Sequence, residues 1–96
     1  MRTTTWSDVK RQRPLTPEGR REYQRTRVAI EVADQVRTLR TSLGLTQEEL
    51  ARRMGTQQPV IARLEAGGSP PSLRTLERLA EVLGAELTVR LAPKAS

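Results

Sequence analysis

Histidine, cysteine and phenylalanine are all absent from this 96-residue chain. Without cysteine there is no disulfide and no thiolate metal site, which fits a cytoplasmic protein. Without histidine the commonest general base and the commonest neutral metal ligand are missing. Catalysis is therefore not expected, and neither a metal, a cofactor nor a small-molecule substrate is implied. Paired carboxylates in a cleft-forming arrangement and a glycine-rich phosphate loop are lacking too, because Gly67-Gly68 reads as a helix stop. The aromatics reduce to Trp6 and Tyr23, so any core must be aliphatic. No apolar run approaches the ~20 residues of a membrane span, and the first residues lack the apolar stretch of a signal peptide.

What is present is positive charge, unevenly spread. The formal net charge is +6, with 17 basic and 11 acidic side chains. Residues 1–27 hold eight Arg or Lys against Asp8, Glu18 and Glu22, a net of +5; residues 28–96 are nearly balanced at +1. Such an excess favours nucleic acid or another anionic surface as partner, or serves as a solubilising tail.

The length suits one small domain plus an arm, divided as a basic N-terminal arm with a short helix (1–27), a helical domain (28–84) and a C-terminal strand and tail (85–96). Residues 1–15 show no periodicity and read as a flexible arm whose Trp6 suits an interface anchor or folds back onto the domain. Thr16-Pro17-Glu18 is a helix start. Beyond it Tyr23, Ile30, Ala33, Val36, Leu39 and Leu43 recur mostly at helical steps, with a gap around Arg27. Either a short helix at 17–26 breaks from one at 28–43, or a single long helix projects its first half from the domain. Val28 and Val32 lie off the main stripe, which points to a second covered face.

Gly44 ends that element. Thr46 and Glu49 form a capping-box pattern for a helix from Gln47 to Met54, and Pro59 falls in the first turn of the next, from Gln58 to Ala66. Leu50, Met54, Ile61 and Leu64, with small Ala51 and a Gly55 able to take positive φ, have the spacing of two short helices crossing steeply. After a breaker-rich loop, Ser72 caps a helix with Leu73, Leu76, Leu79, Ala80 and Leu83 inward, closed by Gly84. Residues 86–91 then alternate polar with apolar, predicting one strand that must pair with its own copy or with a partner's sheet edge.

The pair of crossed helices leaves Gln47, Gln57, Gln58 and Arg63 on outward faces, residue types suited to phosphates and base edges. LR at 39–40, LGLTQEELA at 43–51, MGTQQ at 54–58, RLEAG at 63–67 and LERLAEVLG at 76–84 together resemble the DNA-binding domain of lambdoid phage repressors and the wider Xre/Cro-type helix-turn-helix family. The resemblance implies an all-α, lambda-repressor-like bundle of four to five helices, here with a flexible N-terminal arm and one short C-terminal β-strand. It also implies that Arg40 and Glu65 form a partly buried ion pair, that Gln47 clamps a backbone phosphate, and that Gln58 reads adenine. Arg63 can reach guanine or a phosphate, while Pro59 and Val60 supply only apolar contact, for instance to a thymine methyl. Pro59 stands where many relatives carry a polar reader, so readout rests mainly on Gln58 and Arg63, with DNA shape filling in.

Phage repressors dimerise through helices after this core, whereas a strand is expected here. The Trp-bearing basic arm, the TPE helix start, EYQRTR and the C-terminal strand together resemble HigA-type antitoxins, which bind a RelE-like mRNA interferase toxin and repress their own operon. That resemblance implies operator DNA and a toxin as partners, Trp6, Tyr23 and the 1–30 segment as the grip on the toxin, and a homodimer through the strand between Leu87 and Leu91. A net +5 arm would be repelled by a basic toxin. Either its apolar residues and few carboxylates dominate that contact, or the arm serves DNA, as basic arms entering a minor groove do. A stand-alone Xre-type repressor and a partner-binding adaptor on the same scaffold are the other readings.

Overall fold

The computed structural model describes residues 16–94. Four helices follow one another: α1 Pro17–Ser42, α2 Gln47–Met54, α3 Gln58–Glu65 and α4 Leu73–Leu83. Trp6 and the rest of residues 1–15 lie outside the described region.

The α1 helix begins where Thr16 Oγ1 accepts a hydrogen bond from the Gly19 N–H (3.0 Å), with Pro17 in the first turn. It continues unbroken through Arg27, whose Nε donates to Glu31 Oε1 one turn on (3.1 Å). At 26 residues it is about 39 Å long. None of residues 17–28 is buried; Ala29, Ala33 and Val36 are. The gap in the apolar pattern at Arg27 therefore marks where the helix meets the core, not where it ends.

The buried stripe of α1 differs from the expected one in its large residues. Leu39 and Leu43 are 37% and 52% exposed, and Val28 is 46% exposed, while Val32 packs against the core. At Ala29 and Ile30, α1 comes very close to the chain leaving α3. A Cβ on Gly67, whose φ is +75°, would stand 3.0 Å from Ile30 Cγ1. The absence of a side chain at Gly67 is what leaves room for Ile30 there.

Leu50 and Ile61 are the large side chains buried completely, one from each arm of the α2–α3 crossing. Val36, Leu45, Ala51, Leu79 and Leu83 surround them, with Val32, Met54, Leu64, Leu76 and Val82 at the edge. Thr46 caps α2 through the complete capping box: the Glu49 N–H donates to Thr46 Oγ1 (3.0 Å) and the Thr46 N–H donates to Glu49 Oε1 (3.1 Å). Leu45 just before this cap and Leu50 one turn into the helix occupy the positions of a hydrophobic staple, and both lie in the core. The helix ends at Gly55 with φ +72°, where the Thr56 N–H reaches back to the Ala51 carbonyl (2.8 Å).

Two expectations are corrected. Leu73 is not inward but 56% exposed: it starts α4, and the buried face runs through Leu76, Leu79 and Leu83. No strand occurs among the described residues; from Ala85 to Lys94 the chain carries no regular structure, and Val89 and Leu91 are 70% and 96% exposed. Alternation is only half of a strand. The other half is a neighbouring edge to receive its N–H and C=O groups, and a bundle of four helices offers none.

Candidate nucleic-acid interface

The second and third helices are joined through Gly55, Thr56 and Gln57, and the interface is built around this turn. Gln57 stands at the N-cap position of α3 in extended conformation and makes no capping bond with its side chain. Pro59 occupies the first turn, where its missing N–H has no intrahelical acceptor to leave unsatisfied. Gln57, Pro59, Val60 and Arg63 are exposed, so the first turn and one outer face of α3 meet solvent.

Gln47 and Gln58 are only half exposed, and they are tied together. Gln58 Nε2 donates to Gln47 Oε1 (2.8 Å), and Gln47 Nε2 donates to Glu65 Oε1 (3.1 Å). Arg40 closes the chain from the other side: its Nε donates to Glu65 Oε2 (2.6 Å) and its Nη2 to Glu65 Oε1 (2.9 Å). The third guanidinium nitrogen, Nη1, donates to the Leu45 carbonyl (2.7 Å). The fork-on-fork geometry of Arg40 and Glu65 is the strong form of an ion pair. Their side chains are 13% and 3% exposed.

Burial alone would raise the Glu65 carboxyl, but the hydrogen bonds from Arg40 and Gln47 and the charges of Arg40 and Arg37 outweigh it and hold the group below its ordinary value. Glu49 is also held down, chiefly by the Thr46 backbone N–H of the capping box. No buried side-chain polar atom among the described residues lacks a partner.

Arg37 takes a part that its sequence position does not reveal. Its Nη2 donates to the Glu65 backbone carbonyl (2.8 Å), capping the C-terminal end of α3, while Nη1 pairs with Asp34 (3.3 Å). A cation at the last carbonyls of a helix is favourable. The contact spans 28 positions, so nothing local announces it. Exposed Arg52 and Arg53 lie on the last turn of α2. Val60 also lines a groove of about 510 Å³ between α3 and α4, walled by Met54, Leu64, Arg74 and Arg78 among others. Tyr23 is half-buried on the first half of α1.

Two short helices crossed over a glycine turn, with the amides of Gln57 and Gln58 at the start of the second and Arg63 further along it, define a helix-turn-helix unit of the DNA-binding kind. Residues 36–89 match the HTH_3 helix-turn-helix family, and the chain belongs to that family. It is 34% identical over 68 residues to an HTH-type transcriptional regulator of Haemophilus influenzae, covering 71% of this chain and 69% of that protein. A regulator of the same description from Methanothermobacter thermautotrophicus is 49% identical over 51 residues, covering 53% of this chain and 74% of that one. The antitoxin HigA1 of Mycobacterium tuberculosis is 40% identical over 63 residues, 66% of this chain but 42% of that protein. In three dimensions the chain is similar to the protein of the HipB–O2 20mer complex, with a TM-score of 0.58 and 26% identity over 68% of this chain and 90% of that one. The protein is a DNA-binding helix-turn-helix transcriptional regulator, and its relatives are regulators rather than enzymes. No helix among the described residues is long and apolar enough to cross a membrane.

Proposed function

We propose that the chain is a sequence-specific repressor of its own operon that also acts as an antitoxin, binding and neutralising a RelE/HigB-like mRNA interferase. The DNA half of this reading is carried by one observation: Gln58 stands at the start of α3, held by Gln47, with exposed Arg63 further along the same helix. Gln58 offers a donor and an acceptor together, the pair that adenine N6 and N7 require; Arg63 reaches guanine or a phosphate. The spare N–H of Gln47 is free for a phosphate once one N–H is spent on Glu65. Gln57, Pro59 and Val60 complete the surface facing the groove.

Replacing Gln58 by alanine is expected to cost about 1–3 kcal/mol on the selected duplex and to relax preference at one base pair. Titrations against selected and random duplexes across a salt series measure this. Equal losses on both would remove the base-reading role, and a flat salt response would remove DNA binding altogether.

The antitoxin half is supported by the similarity to HigA1 and by the form of α1, whose first three turns bury nothing in the core and leave Tyr23 and the basic side chains before residue 28 on an extended surface. Trp6 and Tyr23 are the proposed anchors. Co-expression with the product of the adjoining reading frame should give a stable complex and relieve its toxicity; if neither is seen, the stand-alone repressor reading takes over.

Two copies are proposed to read half-sites about 34 Å apart, one helical turn of DNA.

A further inference from the structure

We infer that the buried Arg40–Glu65 pair is a specificity device: by setting the polarity of two linked amides, it decides which base Gln58 accepts. The inference rests on Gln58 as a base reader.

The argument follows the direction of the hydrogen bonds. A guanidinium can only donate, and an ionised carboxylate can only accept. Arg40 holds Glu65 in its ionised form with two bonds, in a place where its side chain is almost fully covered. Whatever amide atom meets that carboxylate must be a donor. Gln47 therefore turns its Nε2 to Glu65, and its Oε1, on the opposite side of the amide, faces α3. Facing that oxygen, Gln58 must in turn present its own Nε2, and it does so at 2.8 Å.

Only one arrangement is then left for the outward side of Gln58. Its Oε1 is unspent, and so is the second N–H of its Nε2. That acceptor beside a donor matches adenine, which offers N6–H and N7 in the major groove. A flipped Gln58 amide would direct only N–H donors outward, the pattern that guanine O6 and N7 would receive. Glutamine by itself flips at little cost, because its two ends have the same shape. The discrimination comes from the group at the far end of the chain. Arg40 and Glu65 touch no base; they are positioning residues acting through Gln47.

Base preference at one position tests this. A randomised duplex library is used to select the wild-type site. The base pair whose preference Gln58→Ala abolishes is then varied alone in a set of otherwise identical duplexes. For wild type the A·T over G·C preference at that pair should be roughly 5- to 150-fold, the range of one good bidentate contact. Gln47→Leu cuts the chain at a half-exposed residue outside the core and should keep the fold. Its affinity should fall on every duplex, from the lost phosphate contact, and its A·T over G·C ratio should move toward parity. Arg40→Met combined with Glu65→Leu removes the polar anchor and should do the same to the ratio.

A ratio unchanged from wild type in folded Gln47→Leu protein overturns the inference, because a purely structural ion pair leaves base choice alone. If the double variant does not fold, Gln47→Leu alone decides. Failure of the underlying reading looks different: wild type would then show no preference that Gln58→Ala removes.

Discussion

Replacing Arg40 by alanine should lower the thermal midpoint by at least about 12 °C, the shift that a loss of 3 kcal/mol produces in a domain of this size. The reason is what the substitution leaves behind. Glu65 is 5% exposed overall, and without Arg40 its charge keeps only the Gln47 amide as a side-chain donor. Breaking a buried pair by removing one partner typically costs about 3–5 kcal/mol, and the Leu45 carbonyl loses its donor as well. A drop of no more than about 2 °C, as for a solvent-exposed pair, would show that the charge is not buried in solution. Removing both charges, in Arg40→Met with Glu65→Leu, should recover part of the loss. That recovery separates the cost of an unpaired charge from the cost of lost packing.

The same pair makes stability depend on acid. The folded protein holds the Glu65 carboxyl below its ordinary value of 4.5, so the unfolded chain binds a proton first as pH falls. The stabilisation is complete above that ordinary value and is lost as pH drops toward the lowered folded one. Glu49 acts in the same direction through the capping box. Midpoints measured from pH 7 downward should therefore fall below about pH 4.5, and Glu65→Gln should flatten that limb without abolishing it.

Leu50→Ala is expected to cost about 2–5 kcal/mol, comparable with the whole stability of many small domains. Leu50 is fully buried where α2 crosses α3, and Ile61 is its counterpart across the angle. A cavity there strikes the element that sets the position of Gln47 relative to Gln58. Urea unfolding gives the stability loss directly, and DNA titration at low temperature tests its consequence. Affinity should be lost in proportion to the unfolded fraction, with base preference retained in the molecules that remain folded. This is the converse of Gln58→Ala, which should change preference with little change in unfolding midpoint. If Leu50→Ala unfolds no more readily than wild type, the account of the core is wrong.

The two variants mark different levels of one mechanism. Aliphatic packing at Leu50 and Ile61 holds the crossing; the polar chain from Arg40 to Gln58 links α1, α2 and α3 and is proposed to orient the reading group. The net +5 of residues 1–27 lies outside the crossing and is assigned to affinity or to partner capture.

Much of this was legible in the sequence because its signals are local. Thr46 and Glu49, Thr16 with Pro17, Ser72, and the glycines at 44, 55 and 84 act within a turn of where they stand, so the boundaries of the helices can be read residue by residue. The spacing of Leu50, Ala51, Gly55, Ile61 and Leu64 carries the crossing of α2 and α3 for the same reason. What periodicity does not contain is the distance between elements. It gave α1 a stripe through Leu39 and Leu43, but where the other helices meet α1 decides which positions are covered: Ala29, Ala33 and Val36 are buried and those leucines are exposed. It gave residues 86–91 the alternation of a strand, but pairing needs a second edge, which alternation cannot supply. Local pattern therefore determined the helices and the crossing of α2 and α3, and the resemblance of these segments to helix-turn-helix proteins pointed to DNA, with Gln47, Gln58 and Arg63 as the proposed contacts. Only the tertiary structure decided that the two glutamines are half-covered and joined to a buried ion pair, since those bonds link residues 11 to 25 positions apart and depend on where three helices meet.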